Sequence, residues 1–330
     1  MKTAVIGCGA IGGLFLGKLS ECPCDLIGVV RGYQKKSLEE EGLIIETAGK
    51  SVNYQIKIDT KLNENPDVAI FTVKINDLEQ AVRDNIENLK DTIIVSTQNG
   101  IKAERILSKY FGKDKIITGI VMFGATFYAP NKVVHNFGKD LILGNIFGAV
   151  SDSLEQVQNL LSGSFEIKIS NNIKGAKYLK LFINLNNCIP AVLGLSMQET
   201  FADLDCARLA IRLNREAYAI AKNSGIELES LPSYPKQKIE GLASIGLEYA
   251  AELFSKLMIS LSKEPLDGSI LQSIKRSRKS EIDYINGEIV ELAKESGFDA
   301  SLNEKIVELV HRVEDSGKFL EKKDLLEQFR

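Results

Sequence analysis

Three glycines near the amino terminus constrain this chain more than any other feature of its 330 residues. Gly7, Gly9 and Gly12 have the G-x-G-x-x-G spacing, directly after an apolar strand (residues 4–6) and directly before an apolar helix. In that context the first glycine permits a tight turn, the second lets a pyrophosphate approach the backbone, and the third allows close helix–strand packing. Free N–H groups at the start of the helix attract the phosphates. We therefore expect a dinucleotide cofactor, bound by Gly7, Cys8, Gly9, Ala10, Ile11 and Gly12.

Near-continuous apolar runs alternate with helical patterns through the first half of the chain. The clearest runs after the glycines are Asp25–Val30, Val68–Lys74 and Thr92–Ser96. Strands that are apolar on both faces and separated by helices indicate a parallel sheet covered on both sides. Two β-rich stretches, over 42–58 and 116–143, interrupt this winding, and the second has a Pro-Asn turn in its middle.

Beyond about residue 171 the strand pattern disappears and long helical periodicities replace it. One runs from Leu209 to Ala221 and is followed by Gly225, which is typical of a helix end. A chain of this length is too long for one hydrophobic core to be usual. We predict a doubly wound α/β domain over residues 1–170 and an all-helical domain over residues 171–330.

Composition and charge exclude several classes of partner. The net charge of −3 and the lack of a long single-sign block argue against nucleic acid. No run approaches the roughly 20 apolar residues that span a bilayer, and the first strand leaves no room for a signal peptide. The five cysteines have no paired C-x-x-C spacing, which argues against disulfides and a zinc site. We expect a cytoplasmic protein that binds neither a membrane nor a metal.

The choice of dinucleotide is predicted at the end of the second strand. An NAD site usually has an acidic residue there, about 20 residues past the glycines, to accept from the ribose hydroxyls. This chain has Arg31, with Lys35 and Lys36 nearby. A guanidinium binds a 2′-phosphate in bidentate fashion, so NADPH/NADP⁺ is favoured over NAD(H). The alternative is an ordinary solvated arginine that follows a strand.

A polar stripe crosses an otherwise apolar segment at residues 177–190. Lys180, Asn184 and Cys188 have i, i+4, i+8 spacing, which places them on one face of a continuous helix. A lysine and an asparagine in such surroundings need partners or a function, because buried polar groups are costly when unpaired. The alternative is a surface lysine beside an asparagine that bonds the backbone.

The chain resembles the ketopantoate reductase (2-dehydropantoate 2-reductase) family, and the motifs that carry this resemblance extend through both halves in the family's order. They are the glycine turn, Arg31, Thr72-Val-Lys74, Gln98-Asn99-Gly100, Gly124-Ala-Thr, Gly138, Lys180 with Asn184, Gly268-Ser-Ile-Leu-Gln272 and Ser280-Glu-Ile-Asp-Tyr-Ile-Asn-Gly287. The last motif is the most specific. Ile282, Ile285 and Ile289 keep helical spacing through it, which predicts that something packs closely against Gly287.

The resemblance implies a fold and a reaction. The fold is a Rossmann domain followed by a helical domain like the C-terminal one of 6-phosphogluconate dehydrogenase. NADPH reduces ketopantoate, a small branched 2-oxo acid, to pantoate on the route to pantothenate and coenzyme A. Lys180 is the general acid and Glu281 orients it; Asn184 and Ser269 bind the substrate. By the same resemblance, the residues at the cofactor's nicotinamide–ribose end are Lys74, Asn99 and Glu281, with Asn99 also closing over the substrate.

Each of these residues has a purely structural alternative. Glu281 could be a solvated helix-start residue, Ser269 a helix cap, Lys74 a strand end and Asn99 a turn residue. His135 and His311 lie outside the motifs, so we expect no catalytic role for either.

The sequence departs from the family pattern at a few positions. Cys188 replaces a second asparagine, and Asn187 points about 100° away on an ideal helix, so it should not substitute. Ser273 replaces a common acidic residue, and the Pro232–Pro265 stretch is long.

Three hypotheses remain. The first is a ketopantoate reductase; the second is a related NADPH-dependent reductase of another 2-oxo acid or imine, which the replacement at Cys188 favours. The third is a non-catalytic NADP-binding regulator, which should have lost Lys180 or Glu281 although both are present. The resemblance leaves open whether the chain is a homodimer.

Overall fold

A computed structural model describes residues 1–148, 151–232, 234–262 and 264–330. The Pro232–Pro265 stretch thus includes two residues outside the described part. The chain divides into two compact units, Met1–Ile173 and Lys174–Arg330, where the sequence analysis placed the boundary at residue 170.

The first unit contains the strands and five helices of the described chain. The strands are β1 (Lys2–Ile6), β2 (Asp25–Val29), β3 (Leu43–Thr47), β4 (Lys50–Tyr54), β5 (Lys57–Asp59), β6 (Val68–Phe71), β7 (Ile93–Ser96), β8 (Ile116–Val121), β9 (Gly124–Ala129), β10 (Lys132–Phe137), β11 (Asp140–Gly144) and β12 (Glu166–Ile169). The helices are α1 (Ala10–Ser20), α2 (Gly32–Glu41), α3 (Ile75–Asn85), α4 (Lys102–Leu107) and α5 (Asp152–Leu161).

The main sheet has the order β12-β11-β8-β7-β6-β1-β2-β5, and every pair in it is parallel except β8 with β11. From β5 to β8 this is the 3-2-1-4-5-6 order of the Rossmann fold. The central strands are buried throughout, as the apolar runs predicted. The predicted α/β class with a parallel sheet is confirmed.

A second sheet, β4-β3-β10-β9, covers the first helix of the unit. It forms from the two β-rich stretches, with Pro130-Asn131 joining β9 to β10 as predicted. Helix α1 approaches this sheet through glycines: a Cβ on Gly13 would lie 2.6 Å from Val133 Cγ2, and one on Gly17 would overlap Ile45. The first helix is therefore packed on both sides, which fixes the glycine turn that precedes it.

The regular secondary structure of the second unit consists of helices over its described residues, as predicted. Its helices are α6 (Ile173–Leu185, which begins at the unit boundary), α7 (Cys188–Leu193), α8 (Met197–Phe201), α9 (Leu204–Asn223), α10 (Gln237–Ser244), α11 (Leu247–Ile259), α12 (Ser269–Lys275), α13 (Asn286–Ser296), α14 (Ser301–Ser316) and α15 (Lys322–Glu327). Gly225, with a φ of +73°, follows the end of α9 closely. No described helix is long and apolar enough to cross a membrane.

The predicted continuous helix over residues 177–190 is wrong. Helix α6 ends at Leu185, and α7 begins at Cys188 after a two-residue turn. Pro190 explains the break, because a proline cannot donate to the carbonyl four residues earlier and its ring clashes there. That carbonyl belongs to Asn186, which lies in the turn between the two helices. Cys188 therefore does not continue the stripe of Lys180 and Asn184.

The helix predicted through the Ser280–Gly287 motif is also interrupted. A 3₁₀ turn covers Ile282–Tyr284, Ile285 has φ −118° and ψ −87°, and α13 starts only at Asn286. Gly287 thus lies in the first turn of a helix rather than in a helix interior. A Cβ on Gly287 would be 3.5 Å from the carbonyl oxygen of Ile282, an ordinary contact. The predicted close packing against this glycine is wrong.

Candidate active site

The glycine turn of the first unit is held by two close approaches of backbone. Gly7 has a φ of +105°, and its N–H donates to the Val29 carbonyl at 2.8 Å. A Cβ on Gly7 would lie 2.7 Å from Val73 Cγ1, and a Cβ on Gly12 would overlap the Gly7 carbonyl oxygen. The Thr72 hydroxyl donates to that same oxygen at 2.6 Å. Both glycines are therefore required by the geometry of the turn.

The remaining part of the turn fits a dinucleotide pyrophosphate. A Cβ on Gly9 would meet nothing within 4 Å, so the backbone is open there. Helix α1 begins at Ala10 without a side-chain cap or an acidic residue in its first turn, which leaves its N–H groups for an anion. The Cys8 thiol is buried in the core and its pKa is raised to about 12 by that burial. Cys8 can therefore contribute only its backbone.

Two predicted cofactor residues follow neighbouring strands of the sheet. Lys74 is exposed and caps α3 after β6, while Asn99 is half-buried after β7. Gln98 ties these loops together, since its side-chain amide donates to the carbonyls of Phe71 and Val73 at 2.8 and 2.9 Å. Lys74 and Asn99 therefore emerge at the carboxyl edge of the parallel strands, where such sheets bind ligands. The role of Gln98 as a loop tie was not predicted.

Arg31 also lies at this edge, but it is already engaged. It caps the start of α2, directly after the second strand, and its Nη2 lies 2.6 Å from Asp77 Oδ2 in the first turn of α3. Both side chains are about half exposed, at 53% and 48%. Asp77 was not singled out from the sequence, because its position next to Arg31 depends on the order of strands in the sheet.

The second unit brings Lys180 and Glu281 into electrostatic range. Lys180 is partly buried on α6, and its desolvation lowers the pKa of the ammonium to about 8. The charge of Lys177, one turn earlier, acts in the same direction, while the carboxylate of Glu281 opposes both. Glu281 is itself only 8% exposed. A lysine with this pKa is a competent acid near neutral pH.

Charged side chains of α14 hold the segment that contains Glu281 in place. The Ser280 N–H donates to Glu314 Oε1 at 2.7 Å, and the other oxygen of Glu314 lies 3.2 Å from His311 Nδ1. His311 Nε2 is in turn 2.8 Å from Asp283 Oδ1. Burial lowers the pKa of His311, but Asp283 and Glu314 outweigh it and raise that pKa overall. His311 and Glu314, both on α14, thus tie this helix to the segment that contains Ser280 and Asp283.

The break between α6 and α7 determines where the side chains that follow Asn184 lie. Asn187 is half-exposed, and its amide nitrogen lies 3.4 Å from Ser269 Oγ. A Cβ on Gly268 would be 2.8 Å from Asn187 Oδ1, so the asparagine packs directly against the Gly-Ser pair. The expectation that Asn187 points about 100° away from the stripe of Lys180 and Asn184 assumed one continuous helix. The break places Asn187 against Ser269 instead, and Pro190 was the available signal in the sequence.

Cys188 faces the interior of the unit. It is 0% exposed; its thiol donates to the Leu185 carbonyl at 2.9 Å and lies 3.8 Å from the amide nitrogen of Asn286. Ser273 is also buried, and its hydroxyl donates to the Ser269 carbonyl at 3.1 Å. Both departures from the family pattern thus fill structural positions.

A Rossmann unit with an open glycine turn, followed by a helical unit, is an architecture typical of a nicotinamide-dinucleotide-dependent oxidoreductase. Among such proteins, the chain belongs to the ketopantoate reductase PanE/ApbA family. The model of that family matches residues 3–148, and the model of its C-terminal part matches residues 172–314.

Relatives and solved structures agree with this family over nearly the whole chain. The chain is 29% identical to a 2-dehydropantoate 2-reductase of Pyrococcus horikoshii, over 96% of this chain and 99% of that one, and 28% identical to one of Pyrococcus abyssi, over 92% and 94%. A PanE/ApbA family ketopantoate reductase of Ralstonia eutropha has a similar structure, with a TM-score of 0.81 and 21% identity over 96% and 99% of the chains. D-mandelate dehydrogenase, solved with NADH and anilino(oxo)acetate, has a TM-score of 0.80 and 24% identity over the same shares.

The burial of Lys180 predicts a gain in stability when its charge is removed. We expect Lys180→Met to raise the free energy of unfolding by about 1–3 kcal/mol at pH 7, since a lowered pKa means that the charged form is disfavoured in the folded state. The gain should shrink between pH 8 and 10.5, where the folded wild type loses its proton and escapes this cost. Denaturant unfolding at pH 7 and pH 10 measures it.

Lys174→Met is the matched control, because Lys174 lies on the same helix but is exposed. Equal effects of the two substitutions, or a Lys180→Met variant that is less stable at pH 7, would contradict the burial of the ammonium as the cause.

Proposed function

We propose that this chain catalyses the NADPH-dependent reduction of ketopantoate to pantoate. The observation that carries the proposal is the placement of Lys180, which is half-buried on α6 within electrostatic range of the buried Glu281. The resemblance to the family implies that this lysine is the acid. Full-length relatives named 2-dehydropantoate 2-reductase support the choice of substrate.

The chemistry requires a hydride and a proton. When bound, a reduced nicotinamide dinucleotide supplies the hydride to the ketone carbon of the substrate. Lys180 stabilises the negative charge that develops on the ketone oxygen and then transfers its proton there, which gives the alcohol. Lys180 regains a proton from solvent. Its lowered pKa suits this role, because the acid gives up its proton readily yet is still charged at pH 7.

The other proposed roles follow from the polar groups near this lysine. Glu281 orients the ammonium and, as the family resemblance implies, would also help to hold the cofactor. Asn184, Asn187 and Ser269 bind the carboxylate and hydroxyl of the substrate, since Asn184 lies one turn after Lys180 on α6 and Asn187 lies against Ser269. Asn99, in the first unit, binds substrate and cofactor.

The substrate is tested by steady-state oxidation of NADPH with a panel of 2-oxo acids. We expect ketopantoate to be used with a higher kcat/KM than 2-oxoisovalerate, which lacks the hydroxyl group. Equal turnover of the two would favour the related reductase of another 2-oxo acid or imine. The burial of Cys188 removes the reason that the sequence offered for that alternative. Binding of NADPH without turnover of any substrate would favour the regulator.

Removal of the acid should reduce the rate of the chemical step. We expect Lys180→Ala to lower kcat by about 10²- to 10⁴-fold with little change in NADPH affinity. In the wild type, kcat for ketone reduction should fall as the pH rises through about 8, because the ammonium is lost. An unchanged kcat in the variant, or a pH profile that is flat from 6 to 10, would remove Lys180 from this role.

Asn187 should contribute to substrate binding. We expect Asn187→Ala to raise KM for ketopantoate by about tenfold, the loss of one hydrogen bond to a charged group, with a smaller effect on kcat. Cys188→Ala is the control, since it removes the neighbouring side chain from the core and should lower stability without changing KM. A raised KM in the control alone would assign substrate binding to Cys188 instead.

NADPH is proposed over NADH because Arg31 stands where an acidic residue would bind the ribose of NAD. Arg31→Ala should weaken NADPH much more than NADH when binding is followed by dinucleotide fluorescence. Equal weakening of both cofactors would mean that Arg31 makes no contact with the 2′-phosphate.

A further inference from the structure

The ion pair between Arg31 and Asp77 crosses the end of the first strand. Arg31 follows β2 and Asp77 follows β6, and these two strands lie on either side of β1 in the sheet. The 2.6 Å contact between the guanidinium and the carboxylate therefore spans the edge at which the Gly7–Gly12 turn leaves β1. This is the edge at which a Rossmann sheet binds the adenosine half of a dinucleotide.

The two charges of this pair have opposite effects on the two cofactors. A 2′-phosphate carries about −1.5 to −2 charges at pH 7, so it is attracted by Arg31 and repelled by a carboxylate on that same guanidinium. It must displace Asp77 or lie next to it. The 2′-hydroxyl of NAD(H) has no such charge, and a carboxylate accepts a hydrogen bond from it. Arg31 can thus bind the 2′-phosphate of NADP(H), and Asp77 can accept a hydrogen bond from the 2′-hydroxyl of NAD(H).

Lys35, which lies on α2 near this edge, has carboxylate partners of its own. Lys35 Nζ lies 3.1 Å from Asp59 Oδ1 and 3.7 Å from Glu39 Oε1. The charge of Lys35 is therefore largely offset and does not simply add to that of Arg31. The carboxylate of Asp77 then determines how strongly the Arg31 guanidinium attracts a phosphate.

We propose that Asp77 sets the cofactor selectivity of this protein by competing with the 2′-phosphate for Arg31, so that NADH is retained as a usable cofactor. This inference rests on the proposed nicotinamide-dependent function and adds a specificity-determining residue to it. The opposing possibility is that the pair only braces α2 against α3. A brace would affect the stability of the unit and would treat both cofactors alike.

The test compares the Kd values of NADPH and NADH, measured by the fluorescence of the bound dinucleotide, in wild type and Asp77→Asn. We expect Asp77→Asn to tighten NADPH by about two- to fivefold, the effect of one exposed charge pair, and to leave NADH unchanged or weaker. The change in the ratio should diminish at high salt, because both side chains are exposed.

Glu79→Gln is the matched control. It removes one negative charge from the same helix, but that carboxylate engages Arg83 and Tyr110 rather than Arg31. We expect it to leave the ratio of the two Kd values unchanged. If Glu79→Gln changed the ratio as much as Asp77→Asn does, the cause would be a general effect of charge on the helix and not the contact with Arg31. That result would overturn the inference.

The remaining outcomes separate this inference from the proposed function. If wild type binds both dinucleotides but Asp77→Asn shifts both Kd values equally, or weakens NADPH, selectivity by Asp77 is wrong and the proposed function stands. If wild type binds neither dinucleotide, both are wrong. Removal of Arg31 provides a further check, because Asp77→Asn should gain less for NADPH in an Arg31→Ala background than in wild type.

Discussion

The contact of backbone with backbone at the glycine turn is the constraint on which the first unit depends. Gly12 approaches the carbonyl of Gly7 so closely that no side chain fits, and Thr72 from a neighbouring strand donates to the same carbonyl. On its other side, α1 meets the second sheet through Gly13 and Gly17. The helix is thereby packed between two sheets, and its N-terminus is fixed at the edge where an anion can reach it.

The second unit differs from the first because it keeps a charged group, the Lys180 ammonium, where burial disfavours the charge. Lys180 loses hydration on α6, and Glu281 compensates only in part, so the pKa of the ammonium falls to about 8. The charge therefore costs stability at pH 7, and the lowered pKa suits the role of acid that we propose for Lys180. The segment that contains Glu281 is held by Glu314, which accepts a hydrogen bond from the backbone N–H of Ser280. His311 contacts both Glu314 and Asp283 and so holds the same segment from its other end.

Much of the fold could be predicted from the sequence because its signals are local. Apolar runs gave the parallel strands, the Pro130-Asn131 turn gave a hairpin, and the glycine spacing gave the start of α1. The two failures have one physical cause: periodicity continues through a helix break. The pattern over 177–190 stays helical although Pro190 interrupts the hydrogen bonds of the helix. The pattern over 282–289 likewise stays helical although the backbone at Ile285 is not.

The sequence by itself determined the class of fold, the dinucleotide turn and, through resemblance to a family, the lysine and glutamate that we propose for the chemistry. Only the tertiary structure decided what those residues meet. The break after Leu185 turns Cys188 into the core and brings Asn187 to Ser269. Strand order brings Asp77 to Arg31, 46 residues away along the chain. Such contacts depend on packing between elements distant in sequence, and of these features only the helix break had a local signal, Pro190.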